Sequence, residues 1–98
     1  MTIEIKKNIE ETILEIVGRL DTTTAPKLEN VINECSEVTK NIVLDLANLE
    51  YISSAGLRVL LTAQKKMTKI GSIKLKNVSE SIMEIFEMTG FVDILNIE

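Results

Sequence analysis

Residues 42–57 read Ile42-Val-Leu-Asp-Leu-Ala-Asn-Leu-Glu-Tyr-Ile-Ser-Ser-Ala-Gly-Leu57. Ile42 to Leu46 is short, continuous and apolar except at Asp45, the pattern of a central strand covered on both faces. Asn48 to Ile52 connects this strand to Ser53-Ser54, where an amphipathic helix begins. Leu57, Leu60, Leu61 and Met67 make the apolar side of that helix, and Arg58, Thr62, Lys65, Lys66 and Lys69 recur as a polar stripe. A strand that feeds a helix is half of a crossover unit, and crossover helices join strands that run parallel.

Upstream, Ile3 and Ile5 alternate with Glu4 and Lys6, and Thr12 to Val17 is β-branched and apolar. Two such runs joined by a polar turn at Asn8 to Glu11 predict an antiparallel hairpin. Gly18-Arg19-Leu20-Asp21 then leads to Thr23 or Thr24, either of which can cap a helix with Pro26 in its first turn. Leu28, Val31, Ile32, Cys35 and Val38 form the apolar stripe of that helix. Downstream, Gly71 ends the second helix, and Ser72 to Val78 is a strand in which Ile73 and Leu75 alternate with Lys74 and Lys76. Ser79 or Ser81 caps a third helix, with Ser81 and Glu84 in capping-box spacing, Ile82, Ile85 and Phe86 facing inward, and Gly90 closing it. Val92 to Ile97 reads as a last strand. The expected fold is a single α/β domain over residues 1–98, in the order ββαβαβαβ, with amphipathic helices packed on a mixed, largely parallel sheet.

Composition removes several kinds of chemistry. The 98 residues suit one core, and 45% hydrophobic content is too high for a disordered chain. No apolar run is long enough to span a membrane, and Met1-Thr-Ile-Glu4 lacks the basic start of a signal peptide, so a cytoplasmic protein without membrane insertion is expected. With no histidine, the usual neutral-pH base and the commonest metal ligand are missing. Cys35 is the only cysteine, so disulfides, thiolate zinc sites and CxxC pairs are excluded within the chain; on a buried stripe it reads as a small core residue. A net charge of -4 and only 3% aromatic residues make a poor surface for nucleic acid, and no direct nucleic-acid contact is expected.

The turn at Ser53-Ser54 concentrates what chemistry remains. Ligand sites of open α/β sheets gather at the carboxyl ends of strands, and a helix N-terminus offers free N–H groups and partial positive charge to an anion. A phosphate on Ser54 is well placed there, and Gly56, lacking a Cβ, is expected to keep the surface around the hydroxyl open. The plainer reading of a serine at a helix start is an N-cap. The usual serine-hydrolase triad is excluded, because there is neither a G-x-S-x-G elbow nor a histidine, and no enzyme is expected. The phosphate-loop spacings are absent too. Asp45, lying within an apolar strand, is expected to be at the strand end, to be hydrogen-bonded, or to have its charged form disfavoured by burial. Asp21 is expected to bond the backbone amides of Thr23 or Thr24; paired with Asp45 it is too little to specify a metal. Between Tyr51 and Ser79 the charged residues are Arg58, Lys65, Lys66, Lys69, Lys74 and Lys76, a basic face without acids.

Four segments in order carry a resemblance: Gly18-Arg19-Leu20-Asp21 with its Thr/Ala/Pro helix start, Ile42-Val-Leu-Asp-Leu46, Tyr51-Ile-Ser-Ser-Ala-Gly-Leu57 and Phe86-Glu-Met-Thr-Gly90. With them the chain resembles the STAS domain family, in particular its small free-standing bacterial anti-sigma factor antagonists. The resemblance implies partner switching. The unmodified antagonist binds an anti-sigma factor that is a serine/threonine protein kinase, freeing a sigma factor; the kinase phosphorylates one serine with ATP, ending the interaction, and a serine phosphatase resets it. Aligned on Gly56-Leu57, that serine is Ser54, and the implied partner-binding residues are Asp21, Thr23, Ser53, Ser54, Ala55, Gly56, Leu57 and Arg58. No cofactor and no enzymatic activity are implied. Ser53 departs from the family, standing where most switching members carry an aspartate, and the chain stops at Glu98 where many members add a fourth helix that covers one sheet face. Two other readings remain open: a non-switching STAS scaffold subunit of a stress-sensing or transporter-associated complex, and a nucleotide-binding module in which Ser54, Gly56 and the basic face hold phosphates.

Overall fold

Alternation of Ile3 and Ile5 with charged neighbours does produce the expected hairpin. β1 (Thr2–Lys7) pairs antiparallel with β2 (Thr12–Leu20), Ile3 lying opposite Ile16 and Ile5 opposite Leu14. The computed structural model describes residues 1–8 and 10–98, so position 9 of the expected turn lies outside the described residues. Around it, the Asn8 carboxamide oxygen accepts from the backbone N–H groups of Glu10 and Glu11, at 3.0 and 2.8 Å. The chain continues through α1 (Ala25–Ser36), β3 (Asn41–Asp45), β4 (Leu49–Ile52), α2 (Ser54–Ile70), β5 (Ser72–Lys76) and α3 (Glu80–Thr89), then a 3-10 turn at Phe91–Asp93.

The five-stranded sheet is mixed. Its main path is β1-β2-β3-β5, with β2, β3 and β5 mutually parallel, as crossover helices require. Leu14, Ile16, Ile42, Leu44, Ile73 and Leu75 point to one face. There they merge with Leu28 and Ile32 of α1, Leu57, Leu60 and Met67 of α2, and Ile82 and Phe86 of α3 in one core. Alternate residues such as Ile13, Glu15, Val43 and Lys74 point to the other face and stand outside that core. Among the described residues no helix is long and apolar enough to cross a membrane.

Two elements differ from the sequence expectation, so the order is ββαββαβα. Asn48 to Ile52 is not a plain connection: β4 pairs parallel with the second half of β2, beyond the stretch that β3 occupies. Leu49 and Ile52 are buried while Glu50 and Tyr51 are exposed, a spacing of three that carries no period-two signal. The change of neighbour needs a bulge between Gly18 and Arg19, and Gly18 sits at φ +99°, a conformation costly for any residue with a Cβ. The last strand, expected over Val92 to Ile97, is reduced to one parallel bridge between Leu75 and Ile97. Gly90, at φ +80°, ends α3 and throws the chain into the 3-10 turn. Phe91 O then accepts from the N–H groups of Ile94 and Leu95, which satisfies backbone groups that a strand would have offered sideways.

Helix ends bring smaller corrections. Thr24 is the N-cap of α1 by position, but its hydroxyl accepts from Asp21 N–H and donates to Arg19 C=O rather than capping the helix. Val38 lies beyond the end of α1 and is 73% exposed, so the buried stripe stops at Cys35. Ser79, not Ser81, caps α3, its Oγ accepting from Ile82 N–H at 3.3 Å, so the Ser81–Glu84 capping box does not form.

Candidate functional site

Parallel pairing of β2 with β4 sets Leu20 beside Ile52, so the segments that follow these residues emerge together at one end of the sheet. Ser53 N–H donates to Leu20 C=O at 2.9 Å and stitches the two exits. The structure therefore brings Asp21 and Thr23 to the same end as Ser53, Ser54, Ala55, Gly56, Leu57 and Arg58, although about thirty residues separate the groups in sequence.

The two serines have different jobs. Ser53 is the N-cap of α2, extended at φ -93°, ψ 174°, with its Oγ accepting from Gly56 N–H at 3.3 Å. Its own C=O accepts from Leu57 N–H at 2.9 Å. Ser54 is the first helical residue and is exposed, at the end where backbone N–H groups lack intrahelical acceptors. Arg58 is exposed one turn further on, at the i+4 position that shares its face. The N-cap reading thus belongs to Ser53, and the hydroxyl of Ser54 is left free of that duty.

Gly56 and Leu57 are both buried. A Cβ on Gly56 would come within 2.7 Å of Leu20 Cγ and 2.9 Å of Ile52 Cγ1. The glycine lets α2 lie close against the ends of β2 and β4; it does not open the surface around Ser54. Leu57, 8% exposed, anchors the first turn of α2 in the core.

Asp21 closes a tight turn. Its Oδ1 accepts from Thr23 N–H at 3.0 Å, Thr23 Oγ1 at 2.8 Å and Thr24 N–H at 3.2 Å. The Thr23 hydroxyl above all, with these backbone amides, holds the Asp21 carboxyl below the ordinary carboxylate range against the opposing effect of desolvation. Asp45 ends β3 with its Oδ1 accepting from Ala47 N–H and the Asn77 side chain, both at 3.1 Å, so the strand-end and hydrogen-bonded alternatives both apply. Among the described residues no group of three or more His, Cys, Asp or Glu stands together to hold a metal. Burial pushes the thiol of Cys35 up, and it sits in the core as its place on the stripe implied.

Arg19 and Tyr51 lie in two of the segments that carry the resemblance, but nothing in the sequence pairs them. Their register in the β2–β4 pair places the guanidinium carbon 4.2 Å from the centre of the Tyr51 ring, and Arg19 Nε lies 3.9 Å from Asp21 Oδ2. No sequence signal marks this group, because it depends on a β4 that alternation does not reveal. The basic face expected from Arg58 to Lys76 is not one surface. Arg58, Lys65 and Lys69 are on α2, whereas Lys74 and Lys76 share the sheet face opposite the core. Lys66 bonds Asn33 at 2.9 Å, and Lys74 pairs with Glu98 at 3.4 Å.

Comparison with known proteins gives a consistent result. Residues 1–98 match the family model described as STAS domain. The chain is 31% identical over 98 residues to the anti-sigma-B factor antagonist of Bacillus subtilis (strain 168), covering 99% of this chain and 90% of that protein. Among solved structures, an anti-sigma factor antagonist from Mycobacterium paratuberculosis superposes with a TM-score of 0.87 at 22% identity, over 98% of this chain and 83% of that one. The Bacillus protein SpoIIAA, an anti-sigma factor antagonist, superposes in both its forms at 16% identity. The unphosphorylated form gives a TM-score of 0.83 over 99% of this chain and 88% of that one. For the phosphorylated form the values are 0.77, 99% and 91%. At such identities the structural likenesses establish a shared fold.

Proposed function

The chain belongs to the STAS domain family, and from that premise we propose that it is a cytoplasmic anti-sigma factor antagonist that works by partner switching, with Ser54 as the switch. In its unmodified form it binds an anti-sigma factor that is a serine/threonine protein kinase, through a surface formed by the exposed Thr23, Ser54 and Arg58 with the half-buried Asp21, Ser53 and Ala55, with Gly56 and Leu57 supporting it from beneath. The kinase transfers the terminal phosphoryl group of ATP to Ser54 Oγ, releasing ADP and the hydroxyl proton. A serine phosphatase returns the hydroxyl.

The observation that carries this reading is the division of labour at the start of α2. Ser53 caps the helix, so Ser54 presents an exposed hydroxyl at the positive end of a seventeen-residue helix. A phosphate there carries nearly two negative charges, which the helix N-terminus and Arg58 accommodate within the chain. The same charges, placed in the centre of a desolvated protein interface, oppose docking by about 3 kcal/mol, more than a hundredfold in affinity. The switch therefore needs no rearrangement of the fold. Ser53 stands in place of an acid beside the acceptor and leaves the local field less negative before transfer.

Site-mapped mass spectrometry of the protein from its own host, and after ATP with candidate host kinases, is the test. One phosphate on Ser54 is expected. Ser54→Ala stays unphosphorylated and kinase-bound, and Ser54→Asp, with about half the charge of a phosphate, binds roughly tenfold more weakly or worse. Unchanged affinity of the Asp variant refutes the charge mechanism. An unmodified Ser54 in the presence of a kinase that binds the protein replaces switching with a scaffold role.

A further inference from the structure

We propose that β1 is an edge for pairing with a second copy of this chain, the two strands joining antiparallel about a two-fold axis at Ile5. Among the described residues β1 ends its side of the sheet and pairs only with β2. Half of its backbone N–H and C=O groups therefore face outward with no neighbouring strand among the described residues, the arrangement that accepts an added strand. The opposite edge is already partly covered: Leu75 N–H donates to Asn96 C=O at 2.9 Å, and Glu98 N–H donates to Leu75 C=O at 2.8 Å. Ile5 points to the core-facing side of the sheet, yet is 47% exposed at its margin.

The charges of β1 select both the occupant and the register. Facing strands must keep side chains on matching faces, so the two-fold axis falls on a residue. Centred on Glu4, it sets Glu4 against Glu4; centred on Lys6, it sets Lys6 against Lys6, and like charges directly opposite each other repel. Centring on Ile3 leaves only Thr2 to Glu4 overlapping. Centred on Ile5, the strands overlap from Ile3 to Lys7, Ile5 meets Ile5, and Glu4 faces Lys6 twice. Within one chain, Glu4 lies opposite Glu15 and has no ion-pair partner among the described residues, while Lys6 is 3.8 Å from Glu15. The second copy supplies Glu4 with the cation that it lacks, and the pair is self-complementary in the isologous sense. Because the two β2 strands then run in opposite directions, the Ser53–Arg58 turns lie at opposite ends of the joined sheet, both accessible. The proposal is independent of what those turns bind.

An edge this short makes a transient dimer. Sedimentation of the intact protein across a concentration series reaching the millimolar range tests it, and a chain that stays monomeric throughout overturns it. Glu4→Lys and Lys6→Glu each turn the two attractive contacts into repulsive ones, and each is expected to weaken self-association about tenfold or more. Mixed one to one, the two variants face each other with opposite charges and form a heterodimer as tight as the original pair. Failure of that rescue, with melting curves showing both variants folded, overturns the register. Hydrogen exchange on the unaltered protein needs no variant: the outward-facing amides between Ile3 and Lys7, which have no bond to β2, gain protection with concentration, and constant protection overturns the assignment of the edge.

Discussion

Gly56→Ala separates packing from surface access at the start of α2. Where the backbone is compatible and space is available, this substitution ordinarily stabilises by about 0.4–1 kcal/mol through the unfolded chain. Gly56 is buried in the first turn of α2, so the backbone raises no objection. Space does. The new methyl carbon would stand 2.7 Å from Leu20 Cγ, 2.9 Å from Ile52 Cγ1 and 3.0 Å from Leu20 Cδ2. Comfortable carbon contacts begin near ~3.5 Å, so the neighbours or the helix must retreat by about half an ångström or more. Leu20 and Ile52 are themselves buried, 0% and 4% exposed, and Leu20 Cγ is a branch point rather than a flexible tip. Overpacking of this kind costs about 1–3 kcal/mol. Set against the backbone gain, the net destabilisation is about 1–2 kcal/mol, a fall in Tm of roughly 5–15 °C for a domain of this size. The strain is relieved by moving the turn that carries Ser53 and Ser54, so phosphorylation of Ser54 is expected to slow as well. Thermal melting followed by circular dichroism reads the first effect. A Tm that is unchanged or raised refutes the packing argument and returns Gly56 to the role of an opening in the surface.

Two further perturbations probe the same end of the sheet. Ser53→Ala removes the cap on Gly56 N–H and is expected to cost about 1 kcal/mol, seen as a drop of ~4–8 °C in Tm; under the proposed function, phosphate mapping should still find Ser54. Asp21 has its carboxyl pKa lowered by the Thr23 hydroxyl and the turn amides. Its charged form is favoured in the fold, so its stabilisation is complete above the unfolded value near ~4 and disappears as pH falls through the lower folded value. Acid titrations of stability should therefore be flatter in Asp21→Asn below pH ~4 than in the unaltered chain, and superimposable curves there would falsify the turn's role.

Much of the molecule was settled before folding. The hairpin, the apolar strand β3, the three amphipathic helices and the glycine ends of α2 and α3 follow from local periodicity, because each element must hide one apolar face whatever its neighbours are. The helix start at Ser53-Ser54 was legible for the same reason, since a strand end, two serines and an apolar stripe mark it from sequence alone; the choice of Ser54 as the switch came from the family resemblance. Tertiary structure decided what depends on partners distant in the chain. β4 exists because β2 has a free second half to pair with, and Leu49 and Ile52 do not alternate in a way that announces it. Val92 to Ile97 has strand composition but not strand structure, because Gly90 turns the chain into a 3-10 bend whose backbone bonds are already made. Gly56 looked like an opening until Leu20 and Ile52 were found against it, and Arg19 meets Tyr51 only through the β2–β4 register. Which side chain is capped, covered or free is set by neighbours from elsewhere in the sequence, and periodicity along the chain carries no record of them.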